Sequence, residues 1–99
     1  MKRLIAKCEE TSKLLKALSH PQRLQILCYL SESEKSVGEL EKLCGASQSA
    51  VSQFLNRMKL EGLVLSERDR QFVKYRIADS RVEKLILAMQ RIFCGRVST

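Results

Sequence analysis

The run Ser36-Val37-Gly38-Glu39-Leu40-Glu41-Lys42-Leu43-Cys44-Gly45-Ala46-Ser47-Gln48-Ser49-Ala50-Val51-Ser52-Gln53-Phe54-Leu55-Asn56-Arg57-Met58 decides the fold. Its first four residues have the Ser-x-x-Glu form of a capping box, in which each side chain satisfies a backbone amide at a helix start. A short helix follows to about Cys44, and Gly45 supplies the positive φ that ends it. Ser47 or Ser49 then opens another helix, with Val51, Phe54, Leu55 and Met58 on its inward face, and Gly62 closes it. Two helices joined by a tight glycine turn, over about residues 36–61, make a helix-turn-helix.

Working outward, Leu63–Glu67 and Gln71–Ile77 read as two strands joined by the charged turn Arg68-Asp69-Arg70, with Val73, Tyr75 and Ile77 alternating onto one face. This hairpin, about residues 63–77, is a wing. Beyond it a capping box from Ser80 to Glu83 precedes Val82, Leu85, Ile86, Met89, Ile92 and Phe93 in helical period, a last helix over about 80–95. On the N-terminal side, Leu4, Ile5, Cys8, Ser12, Leu15 and Leu18 stripe a helix over about 2–18. Ser19-His20-Pro21 stops it and starts the next, because proline fits only a first turn. That second helix carries Leu24, Leu27, Cys28 and Leu30 to about Ser31, and the polar run Ser31–Lys35 reads as a loop. The tail from Gly95 to Thr99 is expected to fray. The fold class is mainly α with a small β-hairpin wing, in the order α-α-α-α-β-β-α. The first and last helices carry more apolar residues than one small core can cover, so they are expected to meet a second chain.

The chain has 99 residues, 44% hydrophobic and 29% charged, which suits one soluble domain over 1–99 and is too short for two cores. Its longest apolar runs, Ile26–Leu30 and Leu85–Met89, have five residues each against the roughly 18 to 20 that span a bilayer, so no membrane segment is expected. Lys7 interrupts any signal-peptide core near the start, and the cytoplasm is the expected location. Eighteen Lys and Arg against 11 Asp and Glu leave +7, which suits a polyanionic partner or simply a solvated surface. Cys8, Cys28, Cys44 and Cys94 include no Cys-x-x-Cys, so neither a zinc knuckle nor a thioredoxin-type dithiol is expected. In a reducing compartment they stay thiols, and a disulfide among them is transient and regulatory. With His20 the only histidine, no enzyme, cofactor or metal site is expected.

Several separated segments, in order, resemble the ArsR/SmtB-type winged-helix repressors: Ala17-Leu18-Ser19-His20-Pro21-Gln22-Arg23-Leu24-Gln25-Ile26-Leu27, Ser36-Val37-Gly38-Glu39-Leu40, Ser47-Gln48-Ser49-Ala50-Val51-Ser52-Gln53-Phe54-Leu55 and Glu61-Gly62-Leu63-Val64. The resemblance runs from about Lys13 to Cys94. It implies a homodimer that holds a palindromic operator in double-stranded DNA and lets go when an inducer occupies a sensing site. The family's thiolate metal site, a Cys-x-Cys before Asp-Leu, falls on Ser36-Val37-Gly38-Glu39-Leu40, which has no sulfur ligand. Of its zinc site on the last helix only Asp79 survives; Arg81, Ile92 and Gly95 stand near where the other ligands fall.

Cys28, within Gln25-Ile26-Leu27-Cys28-Tyr29-Leu30, and Cys94, within Arg91-Ile92-Phe93-Cys94, are similar to the cysteine pair of the BigR and HlyU branch, whose members sense persulfides or oxidants. The resemblance implies redox sensing by Cys28 and Cys94, with a disulfide or polysulfide bridge between the second and last helices releasing the operator. On its own, Cys28 is also what a small hydrophobe on an apolar helical face looks like. Cys8 and Cys44 read as structural or incidental. Gln48, Ser49, Ser52, Gln53, Asn56 and Arg57 form the polar side of the recognition helix, where Gln pairs with adenine and Ser reaches a base or phosphate. Arg68, Arg70, Lys74 and Arg76 make the wing basic and suited to phosphate or minor-groove contact. A metal-responsive repressor, an HlyU-like anti-repressor and a small redox enzyme are the other readings.

Overall fold

The computed structural model describes residues 1–95. The fraying expected for Gly95–Thr99 therefore lies, beyond Gly95, outside the described residues. The elements are α1 (Lys2–Leu18), α2 (Pro21–Glu32), α3 (Val37–Cys44), α4 (Gln48–Leu60), β1 (Val64–Asp69), β2 (Phe72–Ile77) and α5 (Ser80–Cys94). Five helices and an antiparallel hairpin make the winged helix-turn-helix. Among the described residues no helix is long and apolar enough to cross a membrane.

The helix boundaries follow from short polar side chains. At the head of α2, His20 Nδ1 accepts the Gln22 amide at 3.2 Å while Pro21 occupies the first helical position. At α3 the capping box closes in both directions: the Glu39 amide donates to Ser36 Oγ at 3.1 Å, and the Ser36 amide donates to Glu39 Oε1 at 2.9 Å. Gly45, at φ 64°, turns the chain into α4, whose cap is Ser47, accepting from the Ala50 amide at 3.1 Å.

Three boundaries differ from the sequence reading. The cap of α5 is Asp79, whose carboxylate accepts the Arg81 amide at 2.8 Å, and Ser80 is already the first helical residue. Asp and Ser cap equally well, and the residue whose backbone is extended takes the role. In the wing both strands are paired from Val64 opposite Ile77 to Asp69 opposite Phe72, so Arg68 and Asp69 belong to the strand and the turn is Arg70-Gln71. Arg70 takes φ 60° to close it. The run expected to be loop also holds structure: α2 extends through Glu32, and Lys35 bridges Tyr75 through a backbone pair at 3.0 and 2.8 Å, tying the α2–α3 connection to the wing.

The core lies around α2, which packs on α1, α3, β2 and α5. Ile26, Leu27, Leu40, Val51, Leu55, Met58, Val64, Val82 and Ile86 are fully buried there. From α1 only Leu18 is buried, with Leu14 and Ala17 at the margin. Leu4, Ile5 and Leu15 stay exposed, as do Ile92 and Phe93 near the end of α5.

Candidate nucleic-acid interface and dithiol site

The recognition helix α4 is fixed from beneath. Val51, Leu55 and Met58 anchor it, and the His20 and Phe54 rings meet with centroids 4.9 Å apart, joining the start of α2 to its flank. At its far end Glu61 accepts two hydrogen bonds from Arg23, at 3.0 and 3.2 Å, while Arg23 also donates to the Ala17 carbonyl at 3.0 Å. That fork gathers the ends of α1, α2 and α4, and the planar guanidinium is the group whose geometry permits it. Gln48, Ser49, Gln53, Asn56 and Arg57 are exposed along the opposite face, and Ser52 is half-buried among them. This array of amides and hydroxyls on a rigid helix has the chemistry to read base edges in a major groove.

The wing cations divide into two groups. Lys74 pairs with Glu39 at 3.3 Å and Arg76 with Glu67 at 2.7 Å, so each shares its charge with a neighbouring carboxylate. Arg68 and Arg70 have no ion pair among the described residues. Strand alternation puts Arg68 on the face of Val64 and Ser66, the side from which Lys59 of α4 reaches Ser66 at 2.7 Å. Arg70 stands at the tip. Arg57 is drawn by Glu61 at 3.5 Å but remains 73% exposed, so that exposed pair is weak.

All four cysteines are free thiols. Cys28 is half-buried where α2 packs on α5, and Cys94, the last residue of α5, is exposed. Burial pushes the Cys28 thiol up; a hydrogen bond with Gln90 acts against that, and the nearby charges of Cys94 and Glu32 add to it. Cys28 and Cys94 thus sit on two helices that pack against each other. Cys8 is exposed on α1, and Cys44, half-buried at the end of α3, is pushed up by burial alone. Among the described residues no group of three or more His, Cys, Asp or Glu is placed to hold a metal ion.

Residues 20–66 match the family described as bacterial regulatory protein, arsR family. Over 92 residues the chain is 47% identical to the HTH-type transcriptional regulator YgaV of Escherichia coli K12, covering 92% of this chain and 93% of that protein. The chain belongs to the ArsR family. ArsR-family proteins are transcriptional regulators rather than enzymes, and this chain is a DNA-binding regulator of the BigR and HlyU type. The crystal structure of the transcriptional repressor BigR from Xylella fastidiosa superposes with a TM-score of 0.87 at 36% identity, covering 99% of this chain and 97% of that one. The homodimeric winged helix-turn-helix DNA-binding domain of a possible ArsR-family regulator from Mycobacterium bovis superposes with a TM-score of 0.77 at 30% identity, covering 93% and 85%.

Within this ArsR fold three residues matter that the sequence reading passed over. Arg23 looks like a surface residue between Gln22 and Leu24 until Glu61 arrives from 38 residues away. Gln90 lies in the last helix beside the apolar stripe and is buried. Lys35 was in a polar run with no strand pattern. Only the capping box of α3 gave a local signal for any of their neighbours.

Proposed function

We propose that the chain is a cytoplasmic, homodimeric repressor that holds a palindromic operator and releases it when reactive sulfur or an oxidant joins Cys28 to Cys94. The observation that carries the reading is that two free thiols from distant parts of the chain, one half-buried on α2 and one exposed at the end of α5, lie on two helices that pack against each other. In this reading α1 and the exposed end of α5 meet a second copy. Gln48, Ser49, Ser52, Gln53 and Asn56 face the bases, and Arg57, Arg68, Arg70 and Lys74 face phosphates.

The exposed Cys94 meets the electrophile first. With a low-molecular-weight persulfide RSSH, its thiolate takes the outer sulfur and RSH leaves, giving Cys94–S–SH. The Cys28 thiolate then attacks the inner sulfur and hydrosulfide leaves, so the persulfide is the oxidant and two protein thiols become one disulfide. Capture of a second sulfur before closure gives a trisulfide, with a second RSH released. The bridge ties α2, which supports the reading helix, to α5, which supports the dimer, and so sets the angle between two reading heads. A shift of about 3 kcal/mol toward the non-binding arrangement lowers affinity roughly 150-fold.

Operator binding and intact mass, followed together during persulfide treatment, test this. Wild type is expected to release DNA as it loses two hydrogens or gains a bridging sulfur. Cys28→Ser and Cys94→Ser are expected to bind DNA and keep it, while Cys8→Ser and Cys44→Ser respond like wild type. Normal release by either of the first two variants, or a bridge mapped to Cys44, overturns the mechanism.

A further inference from the structure

The cations of α4 and the wing are Arg57, Lys59, Arg68, Arg70, Lys74 and Arg76. Arg57, Lys74 and Arg76 each meet a carboxylate: Glu61 at 3.5 Å, Glu39 at 3.3 Å and Glu67 at 2.7 Å. Lys59 is held differently. Its Nζ donates to Ser66 Oγ at 2.7 Å, and it has no ion pair among the described residues. A carboxylate cancels the charge it orients, whereas a neutral hydroxyl leaves that charge whole. An ammonium carries three donors, and a hydroxyl that accepts one of them still has its own proton to give. Lys59 is exposed and Ser66 half-buried, so the pair has donors to spare at the surface. Lys59 stands three residues beyond Asn56 and seven beyond Ser52, which extends the polar side of the recognition helix toward the wing. Ser66 and Arg68 share one face of β1, and β1 packs on α4. Lys59, Ser66 and Arg68 therefore line the crease where the recognition helix meets the wing.

With α4 in a major groove and the wing reaching past its edge, the sugar-phosphate strand that borders the groove runs over this crease. We propose that Lys59 and Ser66 form a phosphate site there, one in each protomer, that seats a phosphodiester of that strand. Lys59 supplies the charge and Ser66 a second donor, so two adjacent donors meet the two unesterified oxygens of one phosphate. Arg68 borders the site along the strand. The site rests on the reading in which α4 faces bases and the wing faces phosphates, and it adds two residues that reading leaves unassigned. Its contact is blind to sequence, because every step of the duplex offers a phosphate, and it fixes the register of helix and wing together.

The test uses the reduced protein and duplex DNA that it selects from a random library. Lys59→Gln removes the charge, Lys59→Arg keeps it, and Ser66→Ala removes only the hydroxyl. Thermal unfolding confirms that each variant folds, and Lys59→Met, which keeps the apolar stem, replaces the glutamine variant if that one does not. For a homodimer, Lys59→Gln is expected to flatten the slope of log affinity against log salt by ~1.8, or ~0.9 for each phosphate released. The same coefficient, carried from ~1 M to ~0.1 M salt, makes the loss ~8-fold per protomer and ~60-fold per dimer, on selected and random duplexes alike. Lys59→Arg is expected to keep the slope. Ser66→Ala keeps it too and loses ~3-fold per protomer, the worth of a neutral hydrogen bond. Replacing single phosphates by neutral methylphosphonate then locates the contact: one position in each half-site is expected to weaken wild type and leave Lys59→Gln unchanged. An unmoved slope in Lys59→Gln, or methylphosphonate penalties identical in both proteins, overturns the site. If Ser66→Ala binds as weakly as Lys59→Gln, the pair is a brace that holds the wing, and the phosphate site is overturned as well. Gln53→Ala and Arg70→Ala in the same assay keep the two readings apart. If they weaken binding while Lys59→Gln does not, the placement of α4 and the wing stands and the crease site falls; if they too are silent, that placement falls and the crease site with it.

Discussion

In α4, Val51 is 1% exposed and Leu55 and Met58 are sealed from solvent, whereas in α1 Leu4, Ile5 and Leu15 are 63%, 58% and 50% exposed. The two helices have comparable apolar stripes and opposite fates. The reading head, built from α2, α3, α4 and the wing, buries most of its apolar residues within one chain, with Leu43, Leu60, Leu65 and Phe72 left exposed. The flanks do not, and the thiol seam lies where one region meets the other: Cys28 on the central helix of the head, Cys94 beside the exposed Ile92 and Phe93. In the proposed switch, a covalent tie at that seam would act on the head through a flank whose exposed apolar residues the second copy would cover.

The largest effect expected from this contrast is in the head. Leu55→Ala should lower stability by about 2–5 kcal/mol, because Leu55 is sealed within the core and its removal leaves a cavity there. Thermal unfolding at fixed protein concentration checks it; a loss under about 1 kcal/mol would show that the head is looser than its burial implies. Next comes the flank. Ile5→Glu combined with Phe93→Glu should leave the head folded while weakening the dimer, at about 1.5–3 kcal/mol for each apolar side chain no longer buried between copies. Light scattering across concentration reads the change, and a dimer of unaltered strength would place the interface elsewhere. Operator reading separates more finely. Gln53→Ala should cost about 1–3 kcal/mol at one base position if its contact is bidentate. Arg70→Ala should weaken all sequences alike and reduce the salt slope by about one unit. The reverse pattern would exchange the roles of helix and wing.

How much of this was legible follows the same division. The head was readable because its signals are local: Ser36 and Glu39 announce α3 within four residues, Gly45 marks the turn, and Val51, Leu55 and Met58 repeat at helical spacing. Charge misled at the wing, where Arg68 and Asp69 look like a loop and yet pair along the strand, since a two-stranded ribbon with solvent on both sides accepts charged residues. The contacts that join elements were not legible. Arg23 finds Glu61, Lys35 finds Tyr75 and Gln90 finds Ser31 only after the chain has folded, and nothing in the flanking residues specifies the partner. In the last helix the stripe through Met89, Ile92 and Phe93 was expected to be apolar on one side. The position turned toward α2 is instead Gln90, while Ile92 and Phe93 face outward. The cysteine pair was legible only through the family resemblance, because no spacing rule connects residues 28 and 94.

The smallest expected effect tests whether the wing belongs to the reading head. Glu39 Oε1 accepts both the Ser36 amide at 2.9 Å and Lys74 Nζ at 3.3 Å, so one oxygen serves the start of α3 and the second wing strand. The Ser36 amide first, then Lys74, hold the Glu39 carboxyl below the usual carboxylate range. A carboxyl depressed in the folded state adds stability above its ordinary range, and that contribution fades as pH falls through the lowered value. Glu39 is exposed and solvent screens the pair, so Glu39→Gln should cost only about 0.5 kcal/mol at neutral pH, a difference that disappears in acid. Glutamine can still accept the Ser36 amide, so α3 keeps its cap and Lys74 alone is released. Removing one negative charge beside the reading face and freeing a cation should then tighten operator binding by about 2- to 5-fold, with a steeper dependence on salt. Calorimetric unfolding between neutral and acid pH, paired with operator titrations at two salt concentrations, reads both effects. Weaker binding by the variant would mean that Lys74 is useful where Glu39 holds it, and that the ion pair sets the wing in its reading position.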